Sequence, residues 1–127
     1  MKDLIKKIND LSDEYLIMDG NIPTISLGFI KEEIILFNIK DKKTINKIYT
    51  TFTEITGKEI DGDYIISKLS HGQRLILSAI IALNSNAKKI LFSNFFISVS
   101  NQNVEKIKEI IKIKEKEGKI IKIDDTK

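Results

Sequence analysis

The run from Leu75 to Ala87 holds no charged residue, in a chain where 31% of residues are charged. Directly before it stand Leu69-Ser70-His71-Gly72-Gln73-Arg74. Ser70 followed three positions later by Gln73 is a capping box, in which each side chain satisfies an amide of the other's backbone. The two features together predict a helix from His71 to about Leu83. It is apolar around most of its girth, so the rest of the chain must enclose it. The run is too short to span a bilayer. The loop Asn84-Ser85-Asn86 closes it, and the apolar strand Ile90-Leu91-Phe92 follows.

The remaining elements are read outward from that helix. Residues 2 to 18 place Leu4, Ile5, Ile8, Leu11, Tyr15 and Leu16 at helical spacing, and Asp19-Gly20-Asn21 marks a turn. Ile25, Leu27 and Phe29 alternate with Ser26 and Gly28 as in a half-buried strand, with Pro23 at its entrance. Ile34-Ile35-Leu36-Phe37 does not alternate and reads as a strand covered on both faces. Thr44 is placed to cap a helix carrying Ile45, Ile48, Tyr49, Phe52 and Ile55, closed by Gly57. Glu59 to Ile66 reads as a short strand or extended connection. A helix from about Gln102 to Glu117 shows Val104, Ile107, Ile110 and Ile111 as its stripe, with Gly118 as C-cap and a strand from Lys119 to Ile123. Alternating strands and helices predict one α/β domain over residues 1–127, with a layered sheet and helices.

Composition narrows the function classes. A net charge of +3 is a mild basic bias that permits an anionic partner without demanding one. The absence of cysteine removes disulfides, thiolate nucleophiles and cysteine-bound metals. The N-terminus Met1-Lys2-Asp3-Leu4 lacks the long apolar core of a signal peptide, so the expectation is a cytoplasmic chain with no membrane insertion.

The stretch Leu69-Ser70-His71-Gly72-Gln73-Arg74 resembles the signature sequence of ATP-binding-cassette (ABC) ATPases, LSGGQ with a following arginine. The likeness continues in register: Leu83 ends the signature helix, Ile90-Leu91-Phe92 falls on the family's apolar strand, and the last helix and strand follow. It covers about residues 67 to 123 and, more loosely, 29 to 57. It implies a P-loop-NTPase-like α/β fold. In the family this helix start faces the γ-phosphate of ATP held by a partner subunit, so Ser70, Gly72 and Gln73 are the candidate contacts. His71, the one histidine, reads as a turn residue, with no ligand cluster beside it.

At the other family positions this chain departs from the pattern. A phosphate loop needs glycines so that its amides turn inward onto the anion. With Lys43-Thr44 set on the loop's Lys-Thr, residues 37 to 44 read Phe-Asn-Ile-Lys-Asp-Lys-Lys-Thr and hold no glycine. Lys43 and Thr44 are a degenerate remnant on this alignment. Ser93-Asn94 stand where the family has Asp-Glu, leaving no carboxylate to hold magnesium or activate water. Ser100 takes the place of a later Asp, and Asp124-Asp125-Thr126 stand where the switch histidine belongs. Only 25 positions separate Thr44 from Leu69, which leaves no room for the family's helical subdomain on this alignment.

The expectation is a non-catalytic ABC-ATPase-like domain, without metal or cofactor, acting on a protein partner: itself or another ABC-type ATPase. Phe95-Phe96-Ile97 is a candidate contact patch. Two alternatives stand beside it. One is a small nucleic-acid-associated protein using Lys40, Lys42, Lys43 and Lys47 on phosphates, against which the interleaved acids and the lack of a base-reading motif weigh. The other is an ABC transporter ATP-binding subunit with residual nucleotide binding.

Overall fold

The structure is a computed structural model and describes residues 14–125. Its centre is the helix α3 (His71–Leu83), in which every residue from Leu75 to Leu83 is buried. Labels follow chain order: β1 (Leu16–Asp19), α1 (Ile30–Leu36), α2 (Lys42–Thr56), a 3-10 turn (Ile66–Lys68), α3, β2 (Lys89–Ser93), α4 (Asn101–Lys116) and β3 (Ile120–Asp124). Helices α2 and α4 both pack on α3. The three strands form one parallel sheet in the order β1-β2-β3. Leu16, Met18, Ile90 and Phe92 share one buried face of it, as the twofold side-chain period and the register require. The expected layered α/β arrangement is present.

Several local expectations change. Residues 2 to 13 lie outside the described residues, and Leu16, expected on a helix, belongs to β1, where buried Leu16 and Met18 alternate with exposed Ile17. The predicted strand through Ile25, Leu27 and Phe29 is an irregular loop whose sole sheet-like contact is the bridge from Phe29 to Ile65. That bridge is also all that forms of the extended segment expected between Glu59 and Ile66.

The largest correction is at Ile34 to Phe37. Ile34, Ile35 and Leu36 lie on helix α1, and Phe37 is its C-cap. Ile30 and Ile34, four apart, are buried while Ile35 is 58% exposed, which is a helical stripe rather than a two-faced strand. Glu32 and Glu33 in the first turn suit the positive end of a helix, and Glu32 Oε1 accepts the amide of Phe29 at 2.8 Å. A short apolar run does not by itself separate helix from strand. The element directly before Lys43-Thr44 is therefore the helix α1 and not a sheet strand. The strand beside β2 is β1, and the interval between β1 and α3 is filled by α1 and α2. The spacing counted from Thr44 thus loses its starting point.

Helix α2 is capped by Asp41, whose carboxylate accepts from Thr44 N at 3.0 Å and from Thr44 Oγ1 at 2.8 Å. Thr44 is the partner of the cap, not the cap. Gly57 ends the helix at φ +78°, a conformation open to glycine at little cost. The capping box of α3 is formed as expected, with Gln73 N to Ser70 Oγ at 3.1 Å and Ser70 N to Gln73 Oε1 at 3.0 Å.

The expected contact patch is also corrected. Phe95 and Phe96 are core residues, joined to Phe92 with ring centroids 5.0 to 5.2 Å apart. Ile97 alone of the three is exposed. After β2 the chain must cross under α4, and apolar residues there fill the space beneath it.

A buried carboxylate holds the loop before α1. Glu33 is fully buried and accepts the amides of Ile25 at 2.8 Å and Ser26 at 2.7 Å. Burial pushes its pKa up, against the opposing pull of those two amides. Two expectations follow from this packing. Leu77→Ala should lower unfolding free energy by about 2–5 kcal/mol in urea melts, while Ile35→Ala stays within about 0.5 kcal/mol. Because the folded state holds the Glu33 proton more tightly than the unfolded chain, stability is fully present below the ordinary glutamate pKa. It is lost as pH rises through the higher folded value. Urea midpoints measured across that window should fall for the wild type relative to Glu33→Gln.

Candidate functional site

The start of α3 opens on a cleft of about 170 Å³ lined by Thr56, Ser70, Gly72, Gln73, Ser98 and Asn103 among others. Two helices begin on this cleft. Ser70 caps α3, and Ser100 caps α4 by accepting the amide of Asn103 at 3.3 Å. Each helix start carries unsatisfied amides and a partial positive charge, which suits an anion. Leu69 is buried and anchors the turn, whereas Ser70 and His71 are exposed. Arg74 turns back, its terminal nitrogen donating to Ser67 O at 3.3 Å. Ser98 and Asn103 on the rim were not singled out from sequence. Ser100 caps α4 through the Asn103 amide alone, without the return bond that the Gln73 side chain makes to Ser70 N at α3.

Gly72 bears on what this cleft can admit. A Cβ built there would meet only Ser98 O, at 3.7 Å, an ordinary contact. The fold therefore does not require glycine at this position, yet glycine costs helix stability. Without a side chain, the α3 amides stay open to the cleft.

The other sequence-derived residues lie elsewhere. Lys43 is exposed in the first turn of α2, and Thr44 is spent on the Asp41 cap. No inward-turning loop surrounds them. Ser93 and Asn94 close the C-terminal end of the sheet. Gly20 N donates to Ser93 O at 2.9 Å, Asn94 N to Asp124 O at 2.7 Å, and Phe95 N to Asp125 Oδ1 at 3.1 Å. Asn94 sits at φ +50°, a left-handed conformation that asparagine tolerates better than most residues. Its Oδ1 is buried without a hydrogen-bond partner. A Cβ on Gly20 would stand 1.9 Å from Asn94 O, so only glycine lets these two loops cross.

The carboxylates nearby are already engaged with backbone: Asp19 Oδ1 accepts from Asn21 N at 2.9 Å and Asp125 Oδ1 from Phe95 N. Thr126 lies outside the described residues. Among the described residues no group of three or more His, Asp or Glu is placed to hold a metal ion. None of their helices is long and apolar enough to cross a membrane.

No family model matches the sequence, and no curated protein matches it. Solved structures do. A Pyrococcus furiosus protein described as an ABC transporter ATP-binding protein aligns over 98% of this chain and 72% of its own, with TM-score 0.65 and 15% identity. A dimeric ATP-binding cassette in a post-hydrolysis state, bound to ADP and phosphate, aligns over 100% of this chain and 57% of its own, with TM-score 0.67 and 18% identity. The chain thus has the fold of part of an ABC ATP-binding domain and spans little more than half of the second structure.

The cap and the open glycine can be separated by stability. Ser70→Ala should cost about 1 kcal/mol through loss of the cap. Gly72→Ala should leave stability unchanged or raise it by up to about 1 kcal/mol. Both are read from urea midpoints.

Proposed function

We propose that this chain is a non-catalytic ABC-type domain that presents the start of α3 to an anionic group carried by a protein partner. That partner is a second copy or another ABC-type ATPase. The reading rests on one contrast. The α3 start carries a formed capping box and opens on a cleft through Ser70, Gly72 and Gln73, while positions 93 and 94 carry no carboxylate. The capped serine, the side-chain-free Gly72 and the neighbouring start of α4 supply hydrogen-bond donors and positive potential. Hydrolysis needs more: a carboxylate for the metal and a base for the attacking water. Ser93 offers a neutral hydroxyl, and Asn94 accepts no proton at neutral pH.

Support for a cassette partner comes from the dimeric structure with ADP and phosphate, whose fold this chain shares in part. In this reading α1 and α2 take the place between the first strand and the signature helix. Lys43 and Thr44 serve the first turn of α2 and have no part in phosphate binding.

Titration of Mg-ATP into the purified chain, with a phosphate-release assay, tests this reading. The expected outcome is no turnover above buffer, and weak binding at most that is unchanged by Lys43→Ala. Turnover, or submicromolar binding lost in Lys43→Ala, would overturn it.

A further inference from the structure

The loop between β1 and α1, residues 20–29, holds no charged residue and, apart from the Phe29 bridge, no regular structure. Two sets of bonds fix its second half. In one, Glu33 Oε2 accepts the amide of Ile25 at 2.8 Å and Glu33 Oε1 that of Ser26 at 2.7 Å. In the other, Ile66 N donates to Gly28 O at 2.9 Å while Phe29 bridges Ile65. Ser26 joins the two sets, because its Oγ accepts the Gly28 amide at 3.0 Å.

The second set lands where α3 is positioned. Ile66 begins the 3-10 turn, and Leu69 N donates to Ile66 O at 2.9 Å directly before the Ser70 cap. Arg74 ties the first turn of α3 back to the same 3-10 turn through Ser67 O. Glu33, Ile66 and Leu69 are buried, so at both ends of this path a lost bond finds no water to replace it. A bonding change at Glu33 is therefore passed along the path instead of being absorbed by solvent.

Glu33 is a group whose bonding changes with pH. Ionised, its carboxyl offers one acceptor oxygen to each amide; protonated, one oxygen becomes a hydroxyl that also donates. The bond to Ile25 or to Ser26 must then readjust. Burial favours the neutral form and the two amides favour the charged one, with burial the larger effect. The charged and titratable groups on neighbouring elements are Lys31 and Glu32 on α1, Tyr49 on α2, and Asp61, Asp63 and Tyr64 before the 3-10 turn. Lys31 pairs with Asp63 at 2.8 Å, Glu32 Oε1 holds Phe29 N, and none of the six contributes to the balance at Glu33.

We propose that Glu33 is a pH-sensitive latch on the start of α3: gain or loss of its proton shifts segment 25–29 and, through Gly28 and Ile66, the 3-10 turn that sets Ser70. The switch is one proton, and the element it biases is the loop before α1. This coupling stands whether or not the cleft takes an anion.

Amide NMR of the whole chain, titrated from acid to neutral pH without nucleotide, reads the latch. Ile25 and Ser26 should titrate with one midpoint above the ordinary glutamate value, since burial raises it. Ile66, Leu69 and Gln73 should follow with the same midpoint. Glu33→Gln should abolish the transition at all five amides. Ser26→Ala removes the acceptor of the Gly28 amide but spares the carboxyl, so the transition should persist at Ile25 and be lost at Ile66, Leu69 and Gln73. Circular dichroism confirms that each variant keeps its fold, and the wild-type curves decide the matter even if one does not. Flat curves at Ile66, Leu69 and Gln73 in the wild type, a midpoint there that differs from that of Ile25, or their transition persisting in either folded variant would each overturn the proposal.

Discussion

Enclosing a helix that is apolar on all sides is the constraint that organises this molecule. Nine consecutive residues of α3 are buried, and no single neighbour can cover them. The amphipathic helices α2 and α4 and the apolar face of the sheet share that task. Burying this surface at about 25 cal/mol per Å² is the main force opposing chain entropy. The helix must also begin somewhere wet, because its first amides need partners. The capping box at Ser70 and Gln73 fixes that point. The site and the core are therefore two ends of one element.

At the C-terminal end of the sheet, hydrogen bonds tie the loops to one another. Ser93, Asn94, Asp124 and Asp125 spend backbone or carboxylate groups on joining the loops that leave β1, β2 and β3. Gly20 and Asn94 approach so closely that the two loops behave as one packed unit. A sheet end tied in this way has little freedom to reorganise, whereas the α3 cleft opens between two helix starts.

How much of this was legible in the sequence follows from signal strength. The long uncharged run, its capping box, the α4 stripe and Gly118 carry periodicity or a specific cap, and each was read within a residue or two of its place. Ile34 to Phe37 failed because four apolar residues fit a buried strand as well as one helical turn. Only the tertiary setting, with Ile35 in solvent and Ile30 in the core, separates the two. The phosphate-loop alignment then inherited that error. Phe95 and Phe96 read as a patch because sequence shows hydrophobicity but not which side α4 covers. At the α3 cleft, the Ser70–Gln73 cap was legible from local chemistry, and Gly72 was marked only by the resemblance to the signature sequence. Ser98 and Thr56 were not, since they reach the cleft from distant parts of the chain.

Lys119 gives the sheet a further property. Its ammonium donates to the carbonyls of Ser85 and Ala87, and burial lowers its pKa. One cation thus clasps the turn that leads into β2 from a position directly before β3. Sliding either strand by a residue would tear this clasp and invert the faces of the slipped strand. The lysine works as an alignment peg, fixing the stagger of two neighbouring strands before their side chains interlock.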